Sequence, residues 1–354
     1  MANIEIQDEI INIFSDFDNF IESIVTSSNK KFSPPFTKYY DENHDIIYFL
    51  NSFFKNYLLE LKSFDRNLIY AVNCSMKQFI EKHSKGQICR NFDFIEECTQ
   101  LCNMIIEVLQ YNFAGRPFDA FEVMEKVMMA DNFHLTYLLP TLQFHGVLFR
   151  VRKGTGYTER KELFHTPFHL REKCASYRYS LLGYPSLYLA GSIETALKET
   201  NVTDKNFTCS GFSKNEGYKF IDLSLPTKRL DFSDKYCLLV FYPLIVACGL
   251  KVKKNDCPFK PEYVVSQLLF QYIRLHYSGF DGIAYASTKN DKIDYQNIKN
   301  KNFVIYVKHT EQEMGFSEET GKNILSSIPI TQMDKESLEE FENRIRKSDF
   351  ETIM

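Results

Sequence analysis

Three kinds of side chain in this 354-residue chain stand where chemistry would need them. In FHGVLFRVRKGTG (144–156), alternation puts Val147, Phe149 and Val151 on one face of a strand and Leu148, Arg150 and Arg152 on the other. Two arginines on one strand face are costly to bury unless they meet an anion. The plainer reading is an edge strand with solvated arginines. In LYLAGSIETALKETN (187–201), Ser192 reads as the N-cap of a short helix whose apolar stripe is Ile193, Ala196, Leu197 and Thr200. Glu194 and Lys198 pair four residues apart on its solvated side. Glu199 falls at the margin of the stripe, where a carboxylate is either partnered or aimed at a ligand. FDGIAYASTKND (280–291) reads as a strand ending in Ser287, ordinarily a turn former. An anion clamp, a carboxylate and a hydroxyl are thus on offer, and singly none of them names a function.

The elements that must position these groups change character near Pro140. Before it, apolar residues recur at helical spacing in three runs. These are Ile46 to Leu61, Phe92 to Leu109, and Phe118 to Met128, the last opened by Pro117 at a first-turn position. Pro34-Pro35 interrupts the first two helices. Residues 1–140 therefore read as a helical bundle. From 141 to about 310 the segments are short and rich in β-branched and aromatic residues: GVLFRVR (146–152), PSLYLAG (185–191), YKFIDLSL (218–225), YCLLVFY (236–242), FDGIAYAS (280–287) and NFVIYVK (302–308). Helices at SIETALKET (192–200) and EYVVSQLLFQYIRLHY (262–277) interrupt them, so an α+β domain is expected rather than a doubly wound sheet. A polar extension, 311–354, holds one amphipathic stretch, SLEEFENRIRKSDF (337–350), with Leu338, Phe341 and Ile345 on one side.

Bulk properties exclude several classes. The net charge of −4 gives no global basic field, so neither nucleic acid nor an acidic membrane is an indicated partner. The longest apolar run, CLLVFYPLIVACGL (237–250), contains Pro243 and is too short for a bilayer; a buried strand pair is expected there. MANIEIQDEI lacks the features of a signal peptide. The nine cysteines include no Cys-x-x-Cys, and reduced thiols in a soluble cytoplasmic protein follow. The histidines have no metal-ligand spacing; His165 and His169 are separated by Pro167. No metal is expected. P-loop, Rossmann, His-Glu-x-x-His and Gly-x-Ser-x-Gly signatures are missing. An Arg-x-x-x-x-His ribonuclease pair is not met by His83, since position 78 is Gln and Arg90 lies after it.

Together the motifs resemble the RES domain family. The aromatic-Arg-x-Arg strand with Arg150, the short helix bearing Glu199 after a Tyr-containing strand, and the Asp-Gly-Ile-x-Tyr-x-Ser segment ending in Ser287 match its three naming residues. Tyr188 precedes Glu199 by 11 residues (199 − 188), as the family pattern asks. EYVVSQLL (262–269) looks like the family's Tyr-x-x-x-Gln helix. The resemblance covers roughly 141–310, and NFAGRPFDAFEVMEKVM (112–128) suggests that the helical part belongs to the same subgroup. Two departures stand out. Tyr-Arg-Tyr (177–179) replaces the usual Gly-Arg-Trp, and the segment between Arg150 and Arg178 is long.

The resemblance implies an ADP-ribosyltransferase-like mixed β-sheet (split β-sandwich) behind the helical region. It also implies use of NAD⁺ as a substrate, in toxins that deplete it or transfer ADP-ribose. Arg150 and Arg178 would then clamp the pyrophosphate, with Arg152 as the substitute if the strand register differs, because a guanidinium fork grips phosphate bidentately. Tyr188 would stack on the nicotinamide, Glu199 would meet the ribose, and Ser287 would position either. The acceptor of ADP-ribose stays open between water, phosphate and a macromolecule. A toxin of this class implies a restraining antitoxin or regulatory partner, a role that 1–140 could fill in cis; self-association is left open. A non-catalytic sensing module attached to a degenerate RES domain is the reading from another class.

Overall fold

The computed structural model describes residues 15, 17–26, 28–29, 31–34, 36, 40, 45–83, 92–129, 139–225, 231–254, 256–289, 297–309 and 314–354. The readings of the N-terminal decapeptide, Pro35 and Arg90 lie outside them, as does the side chain of His83. The helices named below are, in chain order, α1 (Ile46–Lys62), α2 (Arg66–His83), α3 (Phe94–Phe113), α4 (Pro117–Met129), α5 (Ile193–Thr200), α6 (Phe232–Gly249), α7 (Val264–His276), α8 (Glu318–Asn323) and α9 (Leu338–Arg346). The strands are β1 (Thr141–Phe144), β2 (Leu148–Lys153), β3 (Ser186–Ala190), β4 (Phe207–Ser213), β5 (Tyr218–Leu223), β6 (Gly282–Ala286), β7 (Lys301–Tyr306), β8 (Leu325–Ser327) and β9 (Phe350–Thr352). Helices followed by a mixed sheet make an α+β protein.

Chain contacts divide these elements into two compact units: Met1–Pro140 with Lys228–Leu268, and Thr141–Thr227 with Leu269–Met354. In the first, side-chain caps open two of the helices. Asp45 accepts from the Ile47 amide at 2.8 Å and Asp93 from the Ile95 amide at 2.9 Å, each satisfying donors that a helix start leaves orphaned. Buried Phe49, Leu50, Phe53 and Tyr57 of α1 line the helical core, as do Leu101, Ile105 and Val108 of α3.

One sequence expectation is corrected here. The run 236–250 is not a strand pair but most of α6, a helix that is apolar around its circumference and fully buried at Leu239, Val240, Phe241, Leu244 and Val246. Periodicity cannot separate a buried strand from a buried helix when every position is apolar, and Pro243 argued for a break. The helix tolerates that proline because of its surroundings. Proline has no amide hydrogen, so the carbonyl four residues back, on Leu239, loses its helical donor. The Tyr57 hydroxyl donates to that carbonyl instead, at 2.7 Å, and the Cys98 thiol approaches it at 3.6 Å.

The second unit is built on a nine-stranded sheet ordered β1-β5-β6-β7-β3-β2-β4-β8-β9. Only β5 and β6 run parallel, and their connection is the long one that carries α6 and α7. Alternation along each strand sends successive residues to opposite cores. Leu148, Leu187, Leu189, Phe303 and Ile305 enter one; Phe149, Val151 and Ala190 enter the other, where Ile193 and Ala196 of α5 and Phe341 and Ile345 of α9 close over them. The strand with Arg150 and Arg152 is therefore central and covered on both faces, not an edge strand with solvated arginines. The C-terminal segment is docked: Ser337 and Glu340 form a capping box, and Phe341 and Ile345 are fully buried. Among the described residues no helix is long and apolar enough to cross a membrane, and no disulfide joins the described cysteines.

Candidate active site

The site forms where the sheet splits. Six residue pairs join β2 to β4, but a single pair, Phe149 with Ala190, joins β2 to β3. Beyond that pair the two strands part, and Arg150 reaches across the gap. Its Nη1 donates to the Tyr188 carbonyl at 3.4 Å. Burial holds the Arg150 guanidinium well below its ordinary pKa, the Arg152 cation pushes the same way, and Tyr177 and Tyr188 oppose them. Arginine keeps its proton in proteins, so this depression measures how poorly the surroundings serve a cation. Among the described residues no carboxylate pairs with Arg150 or Arg152. An anion in the gap would relieve that imbalance.

The carboxylate lies on the far side of β3. Ala190 pairs with Phe149 on one side and with Asn302 of β7 on the other, so Asn302 stands two strand spacings, about 10 Å, from the residue preceding Arg150. The Asn302 side-chain amide donates to Glu199 Oε1 at 2.6 Å, and the Ser287 hydroxyl donates to the same oxygen at 2.6 Å. Oε2 accepts no hydrogen bond among the described residues; Lys289 Nζ stands 3.9 Å from it. Ser287 and Asn302 are buried, while about a third of the Glu199 side chain, 32%, is exposed. The carboxylate thus has one oxygen held by two uncharged donors and the other engaged only by the long ion pair to Lys289.

The fold holds α5 against the β6–β7 connection at three points. At its start, Ser192 caps the Thr195 amide, as its position suggested, and both hydroxyls donate to the Lys299 carbonyl at 2.8 and 2.7 Å. Gly191 permits that approach, since a Cβ there would sit 1.9 Å from the Ile298 carbonyl oxygen. At its end, Lys289 donates to the Glu199 carbonyl at 2.8 Å and to Asn201 Oδ1 at 3.1 Å, capping the helix C-terminus with a cation. Glu199 itself is the third point. Within α5 the Glu194–Lys198 pair is solvated, as expected. Thr200, however, is exposed and bonds back to the Ala196 carbonyl, whereas Thr195 is buried in its place. The bond of the Thr195 hydroxyl to the Lys299 carbonyl draws that side of the helix inward.

The remaining residues named from sequence fall around the gap unevenly. Tyr188 donates its hydroxyl to the Tyr179 carbonyl, and the Tyr177 ring meets it edge-on at 5.3 Å. Arg178, between those tyrosines in sequence, is buried. Arg152 donates instead to the Phe164 carbonyl at 3.4 Å and sits 5.9 Å from the Tyr157 ring. Sequence reasoning missed Asn302, Lys289 and Tyr177. The first reads as an ordinary polar residue opening a strand, the second as a loop lysine. Tyr177, 52% exposed, follows a segment with no pattern of its own. On the opposite face of β7, the next residue back, Lys301, is fully buried and pairs with Asp222 at 2.9 Å. Ser224 donates both its amide and its hydroxyl to the other oxygen of Asp222.

Residues 147–313 match the family model described as RES domain. That stretch, under half of the chain, is the one in which the sequence motifs resemble the same family. It is similar to a protein of Bacillus subtilis (strain 168) named "Putative toxin YopC", with 29% identity over 215 residues, which is 55% of this chain and 48% of that protein. The chain thus spans about half the length of that relative. No solved structure matches it.

Proposed function

We propose that this protein is a growth-inhibiting RES toxin that cleaves the nicotinamide–ribose bond of NAD⁺. The observation that carries the reading is Glu199, whose Oε1 is fixed by Ser287 and Asn302 at 2.6 Å each while Oε2 is left to meet a ligand. Bond cleavage sends the electron pair of the C–N bond to the pyridine nitrogen, so nicotinamide leaves neutral and needs no strong general acid. Positive charge then develops on the ribose, as in glycoside cleavage. A carboxylate with one oxygen fixed and the other outside any hydrogen bond among the described residues stabilises that charge in place, without reorganising as the reaction proceeds. Arg150, with Arg178, would bind the pyrophosphate, and Tyr188 and Tyr177 would wall the nicotinamide. Water, adding its oxygen to the ribose and losing a proton, completes hydrolysis to ADP-ribose. Phosphate or a macromolecular hydroxyl would enter at the same step.

The RES domain match and the toxin named among the relatives support the toxic reading, and with it an antitoxin partner. Incubating the purified protein with NAD⁺, with and without phosphate and with added protein or nucleic acid, should release nicotinamide, and the ADP-ribose product identifies the acceptor. Glu199→Ala should lower turnover by about 10²- to 10³-fold. Expression in bacteria should arrest growth, and Arg150→Ala should be tolerated. Unchanged turnover in Glu199→Ala would sink the proposal. The idea that the helical region restrains the RES domain in cis is better tested by point substitutions than by deleting 1–140. Residues 228–268 share a compact unit with those helices, and the deletion would strip their apolar partners.

A further inference from the structure

We infer a second anion site in the sheet unit, separate from the split between β2 and β3, that binds a phosphate group between Arg171 and Arg274. Both guanidinium groups lie against one ring, that of Tyr184, with their central carbons 5.8 and 4.0 Å from its centroid. They are therefore no more than about 10 Å apart, within one Debye length at 0.1 M salt, and they repel. Such an arrangement ordinarily encloses a carboxylate. Among the described residues none pairs with either arginine.

Both forks are held in place by uncharged groups. Arg171 donates to the Gly183 carbonyl at 3.1 Å and to His309 Nε2 at 3.2 Å, and its guanidinium also stacks 5.1 Å from the Phe168 ring. Arg274 donates to the Tyr184 hydroxyl at 2.6 Å, and that hydroxyl donates onward to the Val307 carbonyl at 2.7 Å. A guanidinium has five N–H donors, so most of both forks stays available. Since His309 Nε2 accepts from Arg171, its ring proton sits on Nδ1, a further neutral donor. All four residues are half-buried, so they are reachable without being freely solvated. Planar forks fixed by stacking, with their charge uncompensated, suit bidentate capture of phosphate oxygens.

The site stands apart from Glu199. Val307 follows Asn302 by five residues along β7 and its extension, on the order of 15 Å. The net charge of −4 favours a small phosphorylated molecule over a nucleic-acid strand. The inference does not depend on the proposed NAD⁺ chemistry.

The test is the rise in melting temperature of the full-length protein when inorganic phosphate, or a nucleoside 5′-monophosphate in a separate arm, replaces chloride at matched ionic strength. Arg150→Gln removes whatever the split itself contributes, and a phosphate increment should remain in it that is lost when Arg171 or Arg274 is also changed to Lys. Arg171→Lys and Arg274→Lys keep the charge and the stem but lose the fork, and each should weaken binding by about tenfold or more, read as a rightward shift of the concentration dependence. A stronger response to the nucleotide than to free phosphate marks an ester as the physiological source, and an equal response marks the free ion; either supports the site. If the arginines only staple the fold, the lysine variants will melt lower without phosphate yet keep the full phosphate increment, and the inference is overturned. Loss of the increment in Arg150→Gln alone overturns it as well, by assigning the anion to the split.

Discussion

Glu97 in the helical unit and Glu199 in the sheet unit are both carboxylates drawn in from solvent, and their surroundings are opposite. Glu97, 5% exposed, lies near the start of α3 with Oε2 buried and without a hydrogen-bond partner. Burial pushes its pKa up to about 7, and the nearby Glu96 and Asp93 push the same way. Glu199 has two donors on one oxygen, a lysine near the other, and partial access to water. Burial alone raises the cost of a charge; it is the donors that make a charge usable. A carboxylate built to meet a ligand is held by donors, as Glu199 is, whereas one buried without them, as Glu97 is, becomes a group that shifts with pH.

Three sets of substitutions would break or sharpen that contrast. The largest effect is expected at the sheet unit's buried pair. Lys301→Met leaves Asp222 without its cation in an apolar face and should cost about 3–5 kcal/mol in chemical denaturation. The double variant Lys301→Met/Asp222→Leu should recover much of that loss. If it does not, the pair does more than neutralise itself, and the explanation in terms of an uncompensated charge fails.

Next comes Glu97→Gln. The folded-state pKa lies above the unfolded one, so the native state holds a proton that the unfolded chain releases. Wild-type stability should therefore fall as pH rises from about 4.5 to about 7 and then level off. The amide variant lacks this slope. It should match wild type near pH 4.5 and exceed it by about 3 kcal/mol above pH 7. Parallel curves for the two proteins would show that Glu97 has found a partner or reaches water.

What the sequence reveals follows the same physical divide. Caps and periodic faces are local, so α1, α3, α4, the Ser192 cap and most sheet strands are legible from spacing alone. The α6 run is not, because an all-apolar segment has no face to read and its proline is rescued by Tyr57, far away in sequence. Strand β4, FTCSGFS, carries too many small polar residues to register as a strand, although it is buried along nearly its whole length. At the candidate site, Arg150, Glu199 and Ser287 stand out through family motifs. Asn302 could not, since its significance comes from pairing with Ala190 and from an oxygen that only the folded chain brings within reach.

Asn302 also supplies the finest test of how Glu199 is held. Ser287 and Asn302 donate to the same oxygen, so they act as a unit and their removal should not be additive. Each single change, Ser287→Ala or Asn302→Ala, should lower NAD⁺ turnover by about tenfold, the worth of one charge-assisted hydrogen bond near 1.4 kcal/mol. If the two bonds only fix a side chain that either can fix alone, the double variant should lose more than the product of the singles. If each bond is needed for the correct aim, the first loss already misplaces the carboxylate, and the double variant should lose little more than a single. Multiplicative losses would mean that the two donors act on Glu199 independently, and the picture of one oxygen clamped so that the other is free would have to be given up.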